Sequence, residues 1–141
     1  VEVQDERESM TPAQRGARYR AAYEHGLGLV RAGDYAQALG AFEEAARLRP
    51  ESADAVFNLA ACHEAVGDPM RAISFYRRLL EQHPDDPDCH ANLGTSFIKM
   101  YYREGTPAWK KMAREAWLRS LQLKPDQPDV RAHLERISQP E

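Results

Sequence analysis

The 141-residue chain is poor in the features that would commit it to covalent chemistry or to a bilayer. It holds two cysteines, Cys62 and Cys89, too few for a disulfide framework. No apolar run comes near the ~18 residues that a membrane span needs, so direct membrane insertion is not expected. Basic residues are outnumbered, 19 Lys and Arg against 22 Asp and Glu, and the net charge of −3 argues against nucleic acid as a partner. The chain opens on Val1 with no charged-then-apolar leader behind it. The expectation is a piece of a longer or processed protein, working in a cytoplasmic or cytoplasmic-like soluble compartment.

Hydrophobic residues make up 43% and charged residues 29%, a balance that suits a helix-rich fold with a real core. The charge is uneven. Between Lys99 and Lys124 seven basic residues face only Glu104 and Glu115, a balance of +5, which leaves −8 for the rest of the chain.

The stretch AGDYAQALGAFEEAARLRP, from Ala32 to Pro50, recurs in altered form. A shift of 34 residues carries Gly33 onto Gly67, Asp34 onto Asp68, Ala38 onto Ala72, Phe42 onto Tyr76 and Pro50 onto Pro84. It also carries Gly26 to Ala60 to Gly94, and Asn58 to Asn92. Each period reads as two helices. Thr11-Pro12-Ala13-Gln14 has the form of a capping box with Pro at the first helical position. Gly33 suits the left-handed conformation that ends helices, and Asp34 caps the next one. Ala38, Phe42, Ala45 and Leu48 then form one apolar stripe, closed by Pro50. Gly26, Ala60 and Gly94, with Ala38, Ala72 and Ala113, mark places where paired helices lie close. Phe42, Tyr76 and Trp117 are expected to fill the wider gap between successive units.

The third period is longer. From Tyr76 to Trp117 is 41 residues, seven more than the repeat, split as four before Gly105 and three after it. Each helix gains about one turn of ~3.6 residues, so the stripes stay in phase and the hairpin should project by roughly 5 Å. Thr106-Pro107 is read as the cap of the longer second helix. Val130, Leu134 and Ile137 give a last segment one apolar face.

These residues resemble the tetratricopeptide repeat family, whose signature has a small residue in the first helix, Ala then an aromatic in the second, and a closing Pro. The resemblance covers about Tyr19 to Pro125. It departs from the family where an early Trp is common, since Ala22, Val56 and His90 stand there. It implies an all-α fold, a right-handed superhelical stack of three helix-turn-helix units plus a C-terminal capping helix. The organisation expected is 1–11 as linker or disordered tail, 12–52 as unit one with an extended first helix, 53–86 as unit two, 87–125 as the lengthened unit three, and 126–141 as capping helix and tail. Seven helices follow from that spacing.

Chemistry is weighed on few residues. Cys62-His63 and Cys89-His90 are adjacent pairs, and neighbours on a helix point about 100° apart, so neither clamps a metal. They are read as core thiols beside partly exposed imidazoles. The acids of Asp85–Asp88 are read as a helix cap, since no Gly or distal Glu completes a calcium loop. No catalytic residue, metal or cofactor is expected.

The first helices of such a stack line its concave side. Residues there that packing does not require are Tyr23, Leu27 and Arg31, then Phe57, Asn58 and Ala61, then Ala91, Asn92, Thr95, Ile98, Lys99 and Tyr102. They are the candidate partner-binding groove, with Asn58 and Asn92 placed to meet a ligand's main chain. Relatives that grip acidic heat-shock C-termini use Lys and Arg at set positions. Asn58 matches their pattern, but Tyr23, Leu27, Asp88 and Asn92 occupy the other places. The function expected is a non-enzymatic scaffold or adaptor that binds a protein or peptide in the groove. The alternative is self-assembly, a weak homo-oligomer in which the acidic body of one copy meets a basic surface of Arg103, Lys110, Lys111 and Arg114 on another.

Overall fold

The computed structural model describes residues 6–139, and these are all-α. Eight helices run in order among them: α1 (Glu6–Ser9), α2 (Pro12–Arg31), α3 (Tyr35–Leu48), α4 (Ala53–Ala65), α5 (Pro69–Gln82), α6 (Pro87–Glu104), α7 (Pro107–Leu123) and α8 (Pro128–Ser138). The chain divides into two compact bodies, one ending at Cys62 and the other beginning at His63.

In the first body α2 starts where the sequence says it should. The Thr11 hydroxyl accepts from the Gln14 backbone N–H at 3.1 Å while the Gln14 side chain accepts from the Thr11 N–H at 2.9 Å. Such a cap stabilises a helix by ~0.5–2 kcal/mol. Gly33 stands at φ 78°, a conformation that costs L side chains a clash, and Asp34 caps α3 by accepting from the Gln37 N–H. Ala38, Phe42, Ala45 and Leu48 are buried, as the stripe predicts. The helix α1 is an addition to the seven expected. It falls in the segment read as a tail, and it is held: Arg7 donates to the Arg47 carbonyl at 2.8 Å and accepts at its own carbonyl from Arg15 at 3.1 Å. Residues 1–5 of that tail lie outside the described residues.

The second body is built on α6 and α7, with α5 on one side and α8 on the other. Asp86 caps α6 through the Asp88 and Cys89 N–H groups, while Asp85 pairs with Arg119 at 3.1 Å, so one acid of the run is the cap. The helix has 18 residues against 13 in α4, and α7 has 17 against 14 in α5, the extra turn in each that the long period requires. Gly105 turns the chain at φ 74°. Thr106 occupies the cap position of α7 but its hydroxyl makes no cap bond, a correction to its expected role. The C-terminal end of α7 is served from beyond the helix. The Gln127 amide donates to the carbonyls of Ser120 at 3.0 Å and Lys124 at 2.7 Å. The Ser120 hydroxyl in turn donates to the Pro87 carbonyl at 2.7 Å, which ties α7 to α6.

The destination of two aromatics corrects the sequence reading. A Cβ added to Gly26 would sit 2.7 Å from Phe42 Cζ, and one added to Gly94 would sit 2.5 Å from Trp117 Cδ1. Each ring therefore lies on the glycine of its own helix pair and does not serve only as filler between units. The second correction is His63, which is buried and stacked on Phe75 at 5.5 Å, not partly exposed.

Candidate functional site

The first body offers the exposed side of α2 with the start of α4. Tyr19 and Tyr23 stack at 5.8 Å, and the Arg49 guanidinium lies 4.8 Å over the Tyr19 ring. The Tyr19 hydroxyl meets the Ser52 hydroxyl at 2.7 Å. Asn58 donates both amide hydrogens within the fold, to the Tyr23 hydroxyl at 3.2 Å and the Asp54 carbonyl at 2.8 Å. Burial, with Asp54 close by, pushes the Tyr23 phenol above its ordinary range. Asn58 is thus a strut between α2 and α4 as well as a surface group, which spacing alone does not reveal. Leu27, Phe57 and Ala61 are half-buried and Arg31 is exposed.

In the second body Asn92 plays the same part, donating to the Tyr76 hydroxyl at 3.2 Å. Ala91, Asn92 and Thr95 come together along one wall of a cavity of about 430 Å³. Asp88 continues that wall, Trp117 forms its floor, and Lys124, Asp126, Asp129 and His133 close the far side. The Trp117 N–H donates to the Ala91 carbonyl at 3.0 Å and the ring stacks on His133 at 5.2 Å, so α7 fixes both α6 and α8 here.

The other sequence candidates on α6 stay apart from this cavity. Ile98 is 7% exposed and belongs to the core, which corrects its place among the ligand contacts. Lys99 is exposed and paired with Glu64 at 2.7 Å. Tyr102 is 67% exposed on the added turn. Nearby, Arg103 donates to the Gly67 carbonyl at 2.9 Å and Lys110 lies 5.5 Å over the Tyr101 ring. Lys111 is exposed and Arg114 half-buried, neither in an ion pair among the described residues.

Sequence reasoning missed the far side of the cavity. It treated the last helix as a seal, yet the lengthened period of 41 carries Pro87 to Pro128, Asp88 to Asp129 and Asn92 to His133. That shift marks α8 as one more first helix, with His133 at the asparagine position. As for covalent chemistry, both thiols are buried, at 1% exposure each. Burial pushes Cys62 up, and burial with Asp86 and Asp88 pushes Cys89 up to about 12, so neither is a thiolate at neutral pH. Among the described residues no cluster of three His, Cys, Asp or Glu is set to hold a metal.

Residues 23–87 match the family model described as Tetratricopeptide repeat. Over 113 residues the chain is 32% identical to the photosystem I assembly protein Ycf3 of Synechococcus sp. (strain CC9605), covering 73% of this chain. The chain spans 65% of the length of that curated relative. Among solved structures, the first TPR of Spaghetti bound to the HSP90 peptide SRMEEVD superposes with a TM-score of 0.75 at 16% identity, over 86% of this chain and 91% of that one. The Sgt2 TPR domain from Aspergillus fumigatus gives 0.73 at 19% identity, over 90% and 78%. At such identities the two structures speak to the fold alone. Glycine-seated aromatics, helix pairs at a 34-residue period and these matches converge on the tetratricopeptide repeat fold, with residues 23–87 matching that family's model.

Proposed function

We propose that this chain is a non-enzymatic adaptor that holds an extended segment of a partner protein in the cavity formed by α6, α7 and α8. One observation carries the reading. Ala91, Asn92 and Thr95, three of the residues read from the repeat as surplus to packing, are among those that line an open cavity. A concave space with an aromatic floor and a few polar groups is the usual form of a binding site. The Ycf3 relatives, photosystem I assembly proteins, suggest the class of task, the assembly of a protein complex. The face of the first body with Tyr23, Leu27 and Asn58 is a second contact surface of the same kind.

The test is affinity selection of short peptides on the whole chain, followed by titration calorimetry on the peptides recovered. Asn92→Ala and His133→Ala should each weaken binding by about tenfold, the worth of one lost buried hydrogen bond or ring contact. Lys110→Glu with Lys111→Glu, outside the cavity, should do far less. Should the charge reversal abolish binding while both cavity variants bind normally, the cavity is not the site.

A further inference from the structure

We infer that the cavity of the second body selects a basic segment, one that presents Lys or Arg, an inference that rests on reading this cavity as the partner site. Its lining carries Asp88, Asp126 and Asp129 against Lys124, a balance of −2 among these four. None of the four is in an ion pair among the described residues. Asp88 is not needed as a cap either, because Asp86 already accepts from the first N–H groups of α6.

The hydrogen-bond inventory points the same way. The donors of the wall are mostly committed within the fold. Trp117 and Thr95 both donate to the Ala91 carbonyl. Asn92 donates to the Tyr76 hydroxyl, and the Gln127 amide donates to Ser120 and Lys124. What is left facing the space is three carboxylates, which only accept, against the Lys124 ammonium, the second Asn92 N–H and the His133 ring, so acceptors outweigh donors. A ligand rich in donors therefore fits best, and Lys and Arg carry donors alone. From Asp88 to Thr95 the wall runs seven residues of helix, roughly 10 Å, room for about three residues of extended chain. An acidic segment would meet net repulsion here. The cations that could attract it, Arg103, Lys110, Lys111 and Arg114, stand elsewhere, outside the lining.

Two fluorescein-labelled hexapeptides in one Ser/Ala background test this on the whole chain, one with two Lys and an Arg, the other with three Glu. Fluorescence anisotropy should show the basic peptide binding about tenfold tighter or more, a difference of ~1.4 kcal/mol. Asp88→Asn with Asp129→Asn should shrink that preference to about threefold or less, with an unchanged thermal melt. Raising salt from ~0.1 to ~1 M, which shortens the screening length from about 10 to about 3 Å, should shrink it likewise. If the acidic peptide binds as well as the basic one and Asn92→Ala weakens both, the cavity is a peptide site and the charge selection is wrong. If the basic peptide fails to bind, or binds Asn92→Ala as it binds the parent, the cavity reading itself falls and this inference with it.

Discussion

The helix pairs α2–α3 and α6–α7 use the same device to different ends. In each, a glycine of the first helix receives an aromatic ring of the second, Gly26 with Phe42 and Gly94 with Trp117. Phe42 is fully buried and apolar, with the edge of Tyr23 against it at 5.7 Å, and its contribution is packing. Trp117 carries an N–H that must be satisfied, and it reaches back to the Ala91 carbonyl at 3.0 Å. Its other contact is the His133 ring of a third helix. Replacing one aromatic by a larger, polar-edged one thus turns a two-helix lock into a three-helix joint with a cavity beside it.

The largest expected effect comes from removing the joint. Trp117→Ala should cost ~3–5 kcal/mol in denaturant unfolding, as deletion of a buried aromatic does. Trp117→Phe would convert the second pair toward the first. It should still cost about 0.5–1.5 kcal/mol for the hydrogen bond alone. An unchanged midpoint for Trp117→Phe would mean that the two pairs are equivalent after all.

The glycines come next. Gly26→Ala and Gly94→Ala push a methyl into a rigid ring in both pairs, an overpacking of ~1–3 kcal/mol. A gain of about 1 kcal/mol in helix propensity offsets part of it. Gly40→Ala, with nothing within 4 Å of its added Cβ, should show that gain by itself as a higher melting temperature. A melt in which all three variants rise together would remove the close approach from the account of both pairs.

A last test leaves neutral-pH stability aside and sharpens the comparison through the buried thiol of the second body. The folded Cys89 thiol titrates near 12, above an unfolded value of ~8.5. A raised thiol stabilises the fold fully below the unfolded value, and that contribution is lost as pH climbs toward 12. The loss is at most about 1.4 kcal/mol per pH unit. Stability measured from pH 8 to 11 should therefore fall more steeply in the parent than in Cys89→Ser. Equal slopes would show that Cys89 is not held protonated by the second body.

Much of the fold was legible because its punctuation is local. The Thr11 box, the Asp34, Asp68 and Asp86 caps and the left-handed Gly33, Gly67 and Gly105 are each decided by a few neighbouring residues. The stripe of Ala38, Phe42, Ala45 and Leu48 is decided by period. A stripe states which way a side chain points and not which of two neighbours it meets. That is why the seats of Phe42 and Trp117 on Gly26 and Gly94 are not legible from the stripe, and why Ile98 and His63 read as nearer the surface than they lie. The asparagines show another limit. Their positions were readable, but their partners, the Tyr23 and Tyr76 hydroxyls, are 35 and 16 residues away in the chain. The acids and His133 on the far side of the cavity were hidden by a period of 41 where 34 had been the rule.

The added turns of α6 and α7 have a consequence for how such a pair can grow. Both helices lengthen together, and Trp109 beyond the repeat still finds Phe97, the rings 6.0 Å apart. One residue inserted in either helix would rotate everything past it by about 100° and turn Trp109 away from its partner. The pair behaves like a rack and pinion, with teeth ~5 Å apart along each helix axis. Length is admitted only in matched steps of three or four residues per helix, and the Gly105 turn rides outward on each step unaltered.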